Sequence, residues 1–238
     1  ATPLQNGVNF TIHTCGGTAC ELLLFHREEE EPFAVLPFPE AYKIGDVYSM
    51  IVYGLDIRDF EYAYRVDGPW DPEKGLLFDK KNILLDPYAK AVSGQRTWGT
   101  HWDPTYHARV VKDSFNWGDM PQSKKELCDL IIYELHVRGF TVHESSGVQN
   151  RGTFAGLMEK IPYLRELGIN AVELMPIFEF DETMNAREIN GERLLEYWGY
   201  NTVSFFAPNT SFTSVNEYNR EGTELKTLIK ALHDNGIE

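Results

Sequence analysis

Asp129 to Val137 reads DLIIYELHV, and Asn170 to Pro176 reads NAVELMP. Each is a short, nearly continuous apolar run, the pattern of a strand covered on both faces by helices, as in a parallel sheet. Between them, Thr153 to Leu167 reads as helical. Pro162 interrupts it, so a short first turn should be followed by a main helix with Pro162 near its N1 position. Tyr163, Leu164 and Leu167 are expected on its buried face, and Gly168 is a natural C′ residue. Beyond a long loop, Leu225, Leu228, Ile229 and Leu232 recur at i, i+3, i+4 and i+7, an amphipathic helix. Thr223 is its expected N-cap and Gly236 its C′ residue. Gly236-Ile237-Glu238 then opens like a third strand. Strand, helix, strand, helix, strand is the rhythm of a parallel α/β domain. A βαβα left there has open strand edges, so the natural protein is expected to continue past Glu238.

The residues before Asp129 follow a different grammar. Val8, Phe10 and Ile12 alternate with polar neighbours, and Gly16-Gly17 marks a turn. Further strands are expected at Glu21–His26, Tyr48–Tyr53 and Glu61–Val66, rich in β-branched and aromatic residues with Gly, Pro and Asp between them. The spacing suits an all-β, immunoglobulin-like antiparallel sandwich. From Gly94 to Lys125 the pattern dissolves into a Trp-, Pro- and Asp-rich stretch. The expected division is a sandwich at residues 1–110, a connector at 111–127 and an α/β domain from 128 to 238.

Composition bounds the function classes. The chain has 238 residues, 42% of them hydrophobic, and a net charge of −14. It can bury a core, and no apolar run approaches the roughly 18–20 residues of a membrane span. Lys and Arg do not cluster as a nucleic-acid surface requires. The single run, Glu28-Glu29-Glu30-Glu31 before Pro32, reads as a solvated turn. Three cysteines, Cys15, Cys20 and Cys128, lack a framework spacing, which favours a reducing, cytoplasmic setting. No signal peptide is visible in a chain that begins at Ala1. His101, His107 and Cys128 have no metal-ligand spacing, and no phosphate loop or Gly-x-Ser-x-Gly is present.

Several short strings, taken together and in order, carry a resemblance. Gly7-Val8-Asn9-Phe10 is similar to the opening strand of a family 48 carbohydrate-binding module. Tyr64-Arg65-Val66-Asp67-Gly68-Pro69-Trp70 and the run from Ile83 to Gly94 resemble segments that follow it. Ile132 to Phe140 (IYELHVRGF), Lys160 to Leu164 (KIPYL) and Asn170 to Pro176 resemble the first strand, first helix and second strand of a catalytic barrel. Tyr197-Trp198-Gly199-Tyr200-Asn201, followed by Phe205-Phe206-Ala207-Pro208, resembles a sugar-contacting loop. The chain is thus identified as similar to the α-glucan debranching enzymes of glycoside hydrolase family 13, of the isoamylase and bacterial glycogen debranching type.

That resemblance implies a sandwich followed by the first part of a (β/α)8 TIM barrel, with the active site on loops at the C-terminal strand ends. It implies retaining hydrolysis of α-1,6 branch points in glycogen, amylopectin or limit dextrins, by two carboxyl groups about 5–5.5 Å apart. In the family the nucleophile follows strand 4, the acid/base strand 5 and a supporting Asp strand 7, so none of them is expected within residues 1–238. No cofactor or metal is implied, and the partner is an α-glucan. A non-catalytic glucan-binding or scaffold protein, or a branching enzyme of the same superfamily, is the alternative.

Candidate site residues follow. Tyr200 offers a flat apolar ring and a hydroxyl to a pyranose, and the family stacks sugar at subsite −1 on this tyrosine. Trp198 is either a subsite wall or loop packing, and Asn201 either a polar contact or a turn residue. Trp70, Trp98 and Trp102 are expected as packing residues, with a glucan platform of the binding module as the alternative. Glu134 and His136 share one face of a strand, which suits an acid/base pair or groups held by hydrogen bonds. Asp181 and Glu182 fall in the loop after the second strand, the end of a barrel that carries chemistry, and are expected either there as functional carboxylates or as solvated loop charges.

Overall fold

The computed structural model describes residues 1–94, 97–100, 102, 104–119, 125–184, 187–215 and 217–238. These fall into two units, Ala1–Ser93 with Thr105–Lys112, and Gly94–Pro104 with Asp113–Glu238.

In the first unit, alternating apolar and β-branched residues build antiparallel strands. These are β1 (Thr2–Pro3), β2 (Gly7–His13), β3 (Ala19–His26), β4 (Pro32–Pro37), β5 (Lys43–Ile44), β6 (Val47–Tyr53), β7 (Phe60–Asp67), β8 (Trp70–Asp71), β9 (Leu76–Leu77), β10 (Ala91–Val92) and β11 (Ala108–Arg109). One sheet runs β1-β2-β6-β5 and the other β10-β11-β7-β3-β4, while β8 and β9 form a separate ribbon. The four strands expected from the sequence are β2, β3, β6 and β7. Val8 and Phe10 point inward from β2, and Phe10 meets Tyr62 edge-on at 5.1 Å. Strand β3 departs from alternation, since Leu22 to Phe25 are all buried. Leu23, Phe25 and Ala63 form a second small core with Ile83.

The second unit contains β12 (Ile132–Leu135), α1 (Val137–Thr141), α2 (Phe154–Met158), α3 (Ile161–Leu167), β13 (Ala171–Leu174), β14 (Phe178–Phe180), β15 (Arg187–Ile189), β16 (Glu192–Leu194), β17 (Thr202–Pro208) and α4 (Arg220–Asp234). β12 and β13 pair in parallel, Ile132 beside Ala171 and Leu135 beside Leu174. Glu238 N donates to Asn170 O at 2.9 Å, and its carbonyl accepts from Val172 N at 2.8 Å. That alternation is the parallel pattern, so Ile237–Glu238 adds to the sheet as the expected third strand. The core includes Leu135, Val137, Phe154, Leu157, Ile161, Leu164, Phe180, Phe212, Leu228 and Leu232.

Helix ends match local chemistry in part. Thr153 caps α2 by accepting from Gly156 N, and α3 carries Pro162 in its first turn and ends on Gly168 at φ 84°. α4 starts earlier than expected. Its N-cap is Asn219, and Thr223 lies inside the helix, its Oγ1 donating to Asn219 O at 3.2 Å. Glu221, in the extra turn, and Glu224, just after it, are buried. Glu224 accepts from Ser214 N, from Ser214 Oγ and from Ala155 N at the start of α2, whose first amides have no intrahelical acceptor.

Three further expectations are corrected. β12 is covered on one face only, leaving Ile132 and Glu134 exposed. On α3 the buried residues are Ile161 and Leu164, whereas Tyr163 and Leu167 stand about half exposed. Residues 94–104, expected in the first domain, belong to the second unit. The reason is Trp98, which stacks on Phe212 (6.1 Å, 12°) and meets Phe180 edge-on at 5.6 Å, while Gly99 N donates to Glu182 Oε1 at 2.8 Å.

Candidate functional site

The loop from Tyr197 to Asn201 runs into β17 and is pinned at three places. At its start, Tyr197 lays its ring on the imidazole of His136 (4.3 Å, 14°), and its carbonyl accepts from His136 Nε2 at 2.8 Å. His136 is the N-cap of α1, its Nδ1 accepting from Gly139 N at 3.0 Å. At Gly139 a Cβ would stand 1.8 Å from the Tyr197 hydroxyl oxygen, so a larger residue would displace that ring. In the middle, Gly199 has φ 82° and lies against Phe180, where a Cβ would come within 2.7 Å of the ring. At the end, Asn201 Nδ2 donates to Asp181 O at 2.8 Å.

What lies between the pins projects outward. Tyr200 is 72% exposed and Trp198 54%. Trp198 N donates to Glu196 Oε1 at 3.2 Å, and its ring meets Tyr197 edge-on at 5.2 Å. Phe205 and Phe206 of β17 are exposed as well. The Asn201 Oδ1 is buried without a hydrogen-bond partner. The arrangement can present flat apolar rings with polar edges, the chemistry that suits the C–H face of a sugar.

The titratable residues divide differently from the expectation. Glu134 is exposed and His136 buried, so they do not form an acid/base pair. Burial holds the His136 pKa below its ordinary value, and the nearby Arg138 charge acts in the same direction. Asp181 binds its own loop, Oδ1 accepting from Thr183 N (2.8 Å) and Oγ1 (2.6 Å). Glu182 is not a solvated charge. It is fully buried, its donor being Gly99 N, and burial raises its pKa.

Glu179 escaped the sequence reading. It is fully buried, Oε2 accepts from Thr210 N at 2.6 Å, and burial pushes its pKa up to about 8. An acidic residue inside the FEF run of β14 was the available signal.

The tryptophans separate. Trp98 is half-buried in the second unit, with the Arg138 guanidinium 4.8 Å over its ring, so its surroundings are those of a core wedge. Trp102, in the same unit, carries Arg193 at 4.7 Å. Trp70 belongs to the first unit, on β8 opposite Leu77, and is 65% exposed. His101 lies outside the described residues. Among the described residues no three His, Cys, Asp or Glu side chains form a metal-binding group, and no helix is long and apolar enough to cross a membrane.

Comparison with known proteins puts names to both units. Residues 1–89 match carbohydrate-binding module 48 (isoamylase N-terminal domain), and residues 110–238, more than half the chain, match the alpha amylase catalytic domain. The chain belongs to the α-amylase family. Across its whole length it is 37% identical to isoamylase 1, chloroplastic, of Arabidopsis thaliana, covering 32% of that protein. It is 32% identical to a glycogen debranching enzyme of Serratia proteamaculans, over 98% of the chain and 36% of the relative. A solved pullulanase of Anoxybacillus sp. LM18-11, complexed with maltotriose, superposes with a TM-score of 0.75 at 26% identity, over 100% of this chain and 32% of that one. The chain therefore spans about a third of the length of these relatives. The expected architecture, a carbohydrate-binding-type sandwich followed by part of an α-amylase barrel, is the one these matches support.

Proposed function

We propose that this chain serves an α-glucan debranching hydrolase that cleaves α-1,6 branch linkages in glycogen, amylopectin or limit dextrins with retention of configuration. Its own share is sugar contact through Tyr200, flanked by Trp198 and Asn201. The nucleophile and acid/base carboxylates belong after strands 4 and 5 of such a barrel, whereas this chain holds β12, β13 and the opening of a third parallel strand. Supporting the reading are the names of the relatives and, above all, one observation: Tyr200 is exposed on a loop pinned on both sides of it. A cytoplasmic setting is part of the proposal. The plant relative carries a chloroplast label, which concerns that protein.

The test is titration of the chain with maltotriose, followed by tryptophan emission and by NMR. Wild type should bind, and Tyr200→Ala should lose at least tenfold in affinity with an unchanged melting temperature, since a largely exposed ring contributes little to the fold. In the full-length enzyme the same change should slow release of linear chains from amylopectin. Unaltered binding and turnover in Tyr200→Ala would sink the assignment. A non-catalytic glucan-binding role is a second reading, favoured by the exposed Trp70. It predicts that maltotriose binding is lost with Trp70→Ala and kept with Tyr200→Ala.

A further inference from the structure

We infer that His136 is a positioning residue for the sugar-facing loop, setting where Tyr200 stands by holding Tyr197 through one fixed tautomer. The inference rests on the sugar-contact reading for its functional meaning, and on the hydrogen bonds of one imidazole for its geometry.

Both ring nitrogens have an assigned task. Gly139 N–H donates to Nδ1 at 3.0 Å, so that nitrogen carries a lone pair. The Tyr197 carbonyl 2.8 Å from Nε2 can only accept, so Nε2 carries the proton. The imidazole is therefore neutral, and burial favours the same state. Phe212 meets the ring edge-on at 5.6 Å, and Tyr197 covers it at 4.3 Å. With both nitrogens bonded to backbone, the ring has no free site from which to exchange a proton with a substrate. Its effect on chemistry runs through Tyr197.

The leverage comes from chain position. His136 directly follows β12, at the strand end where barrel loops carry function. Tyr197 is three residues before Tyr200, and Asn201, held by Asp181 O, is the next residue after it. Tyr200 thus projects between two anchors drawn from different segments. Fixing such a ring beforehand removes the ordering cost from ligand binding.

His136→Asn separates positioning from helix capping. Asparagine is a strong N-cap and can still accept from Gly139 N, but its short amide cannot reach Tyr197 O. Hydrogen exchange should become about tenfold faster at residues 198–202, the effect of losing roughly one net hydrogen bond, with β12, β13 and α1 unchanged. Maltotriose affinity should fall by about the same factor. Unchanged exchange at 198–202 overturns the inference whatever the sugar does. Faster exchange, with wild-type chain that does not bind maltotriose, upholds the positioning and overturns the sugar reading. Should His136→Asn fail to fold, long-range 15N–1H correlation on wild type decides. A neutral ring protonated at Nε2 at pH 7 supports the inference, and an Nδ1-protonated or charged ring refutes it.

Discussion

Replacing Glu179 by glutamine should make this protein more stable at neutral pH, with a gain that grows as pH rises. The carboxyl is fully buried, and burial lifts its pKa from 4.5 to about 8, with the neighbouring Glu182 and Glu221 charges adding to the effect. The sign follows from linkage. A carboxyl whose folded pKa is raised binds its proton more tightly in the fold, so its contribution is fully present below pH 4.5. It is lost as pH rises toward 8 and is flat beyond. Each pH unit across that window costs about 1.4 kcal/mol. From 4.5 to 7 the loss is about 3 kcal/mol, and by pH 8 about 4 kcal/mol, because the slope falls off as pH approaches the folded pKa. Glutamine has the same shape and no charge. Its carbonyl can accept from Thr210 N, as Oε2 does now, and its amide can donate to Thr210 Oγ1, which lies 3.3 Å from Oε1. At pH 4 Glu179→Gln should match wild type within about 0.5 kcal/mol, and at pH 7 it should exceed it by about 3 kcal/mol. Residual slope in the variant includes Glu182, whose pKa is raised as well, and His136 and Glu159, whose pKa values are lowered and act in the opposite sense. Urea unfolding between pH 4 and 8.5, followed by tryptophan emission, reads this directly, because Trp98, Trp102, Trp117 and Trp198 all lie in the second unit. Parallel pH profiles for the two proteins, or a less stable variant at pH 8, would refute the reasoning.

Other expectations are narrower. Gly199→Ala places a methyl group against Phe180 and Pro176 at a φ of 82°, and should destabilise the second unit by about 2–4 kcal/mol in the same urea assay. No measurable loss there would mean that the loop shifts at no cost. Asn170→Ala removes the amide that accepts from Ile131 N at 2.7 Å and donates to Asp129 O at 2.8 Å. It should lower stability by about 1–2 kcal/mol and speed exchange at Ile131, whereas unchanged exchange there would show the clamp to be idle.

Elements with strong local signals are legible in the sequence. Pro162 and Gly168 mark the ends of α3, and DLIIYELHV and NAVELMP locate the parallel pair. Other features depend on tertiary partners. Thr223 has the chemistry of an N-cap, yet α4 begins a turn earlier at Asn219, and Glu224 is buried with donors on Ser214 and Ala155 that the local pattern does not announce. Asp181 and Glu182 look alike in sequence, and only the approach of Gly99 separates the loop-bound one from the buried one. The Asn190-Gly191 pair, both at positive φ, was a readable turn signal for the β15–β16 hairpin within what the sequence suggested was one long loop. At the site, Tyr200, Trp198 and Asn201 could be proposed from the string alone. The roles of His136 and Gly139 could not, since they depend on Tyr197 folding back over a residue 61 positions earlier.

The interleaving of the two units along the chain bears on how such proteins can be recombined. A single crossover at Ser93 carries β11 away from the sandwich, and one at Lys112 strips Trp98 from the stack on Phe212. No single breakpoint passes both units on intact. A lineage that exchanges its first unit by one-point fusion must either rebuild that aromatic wedge or inherit the two units together.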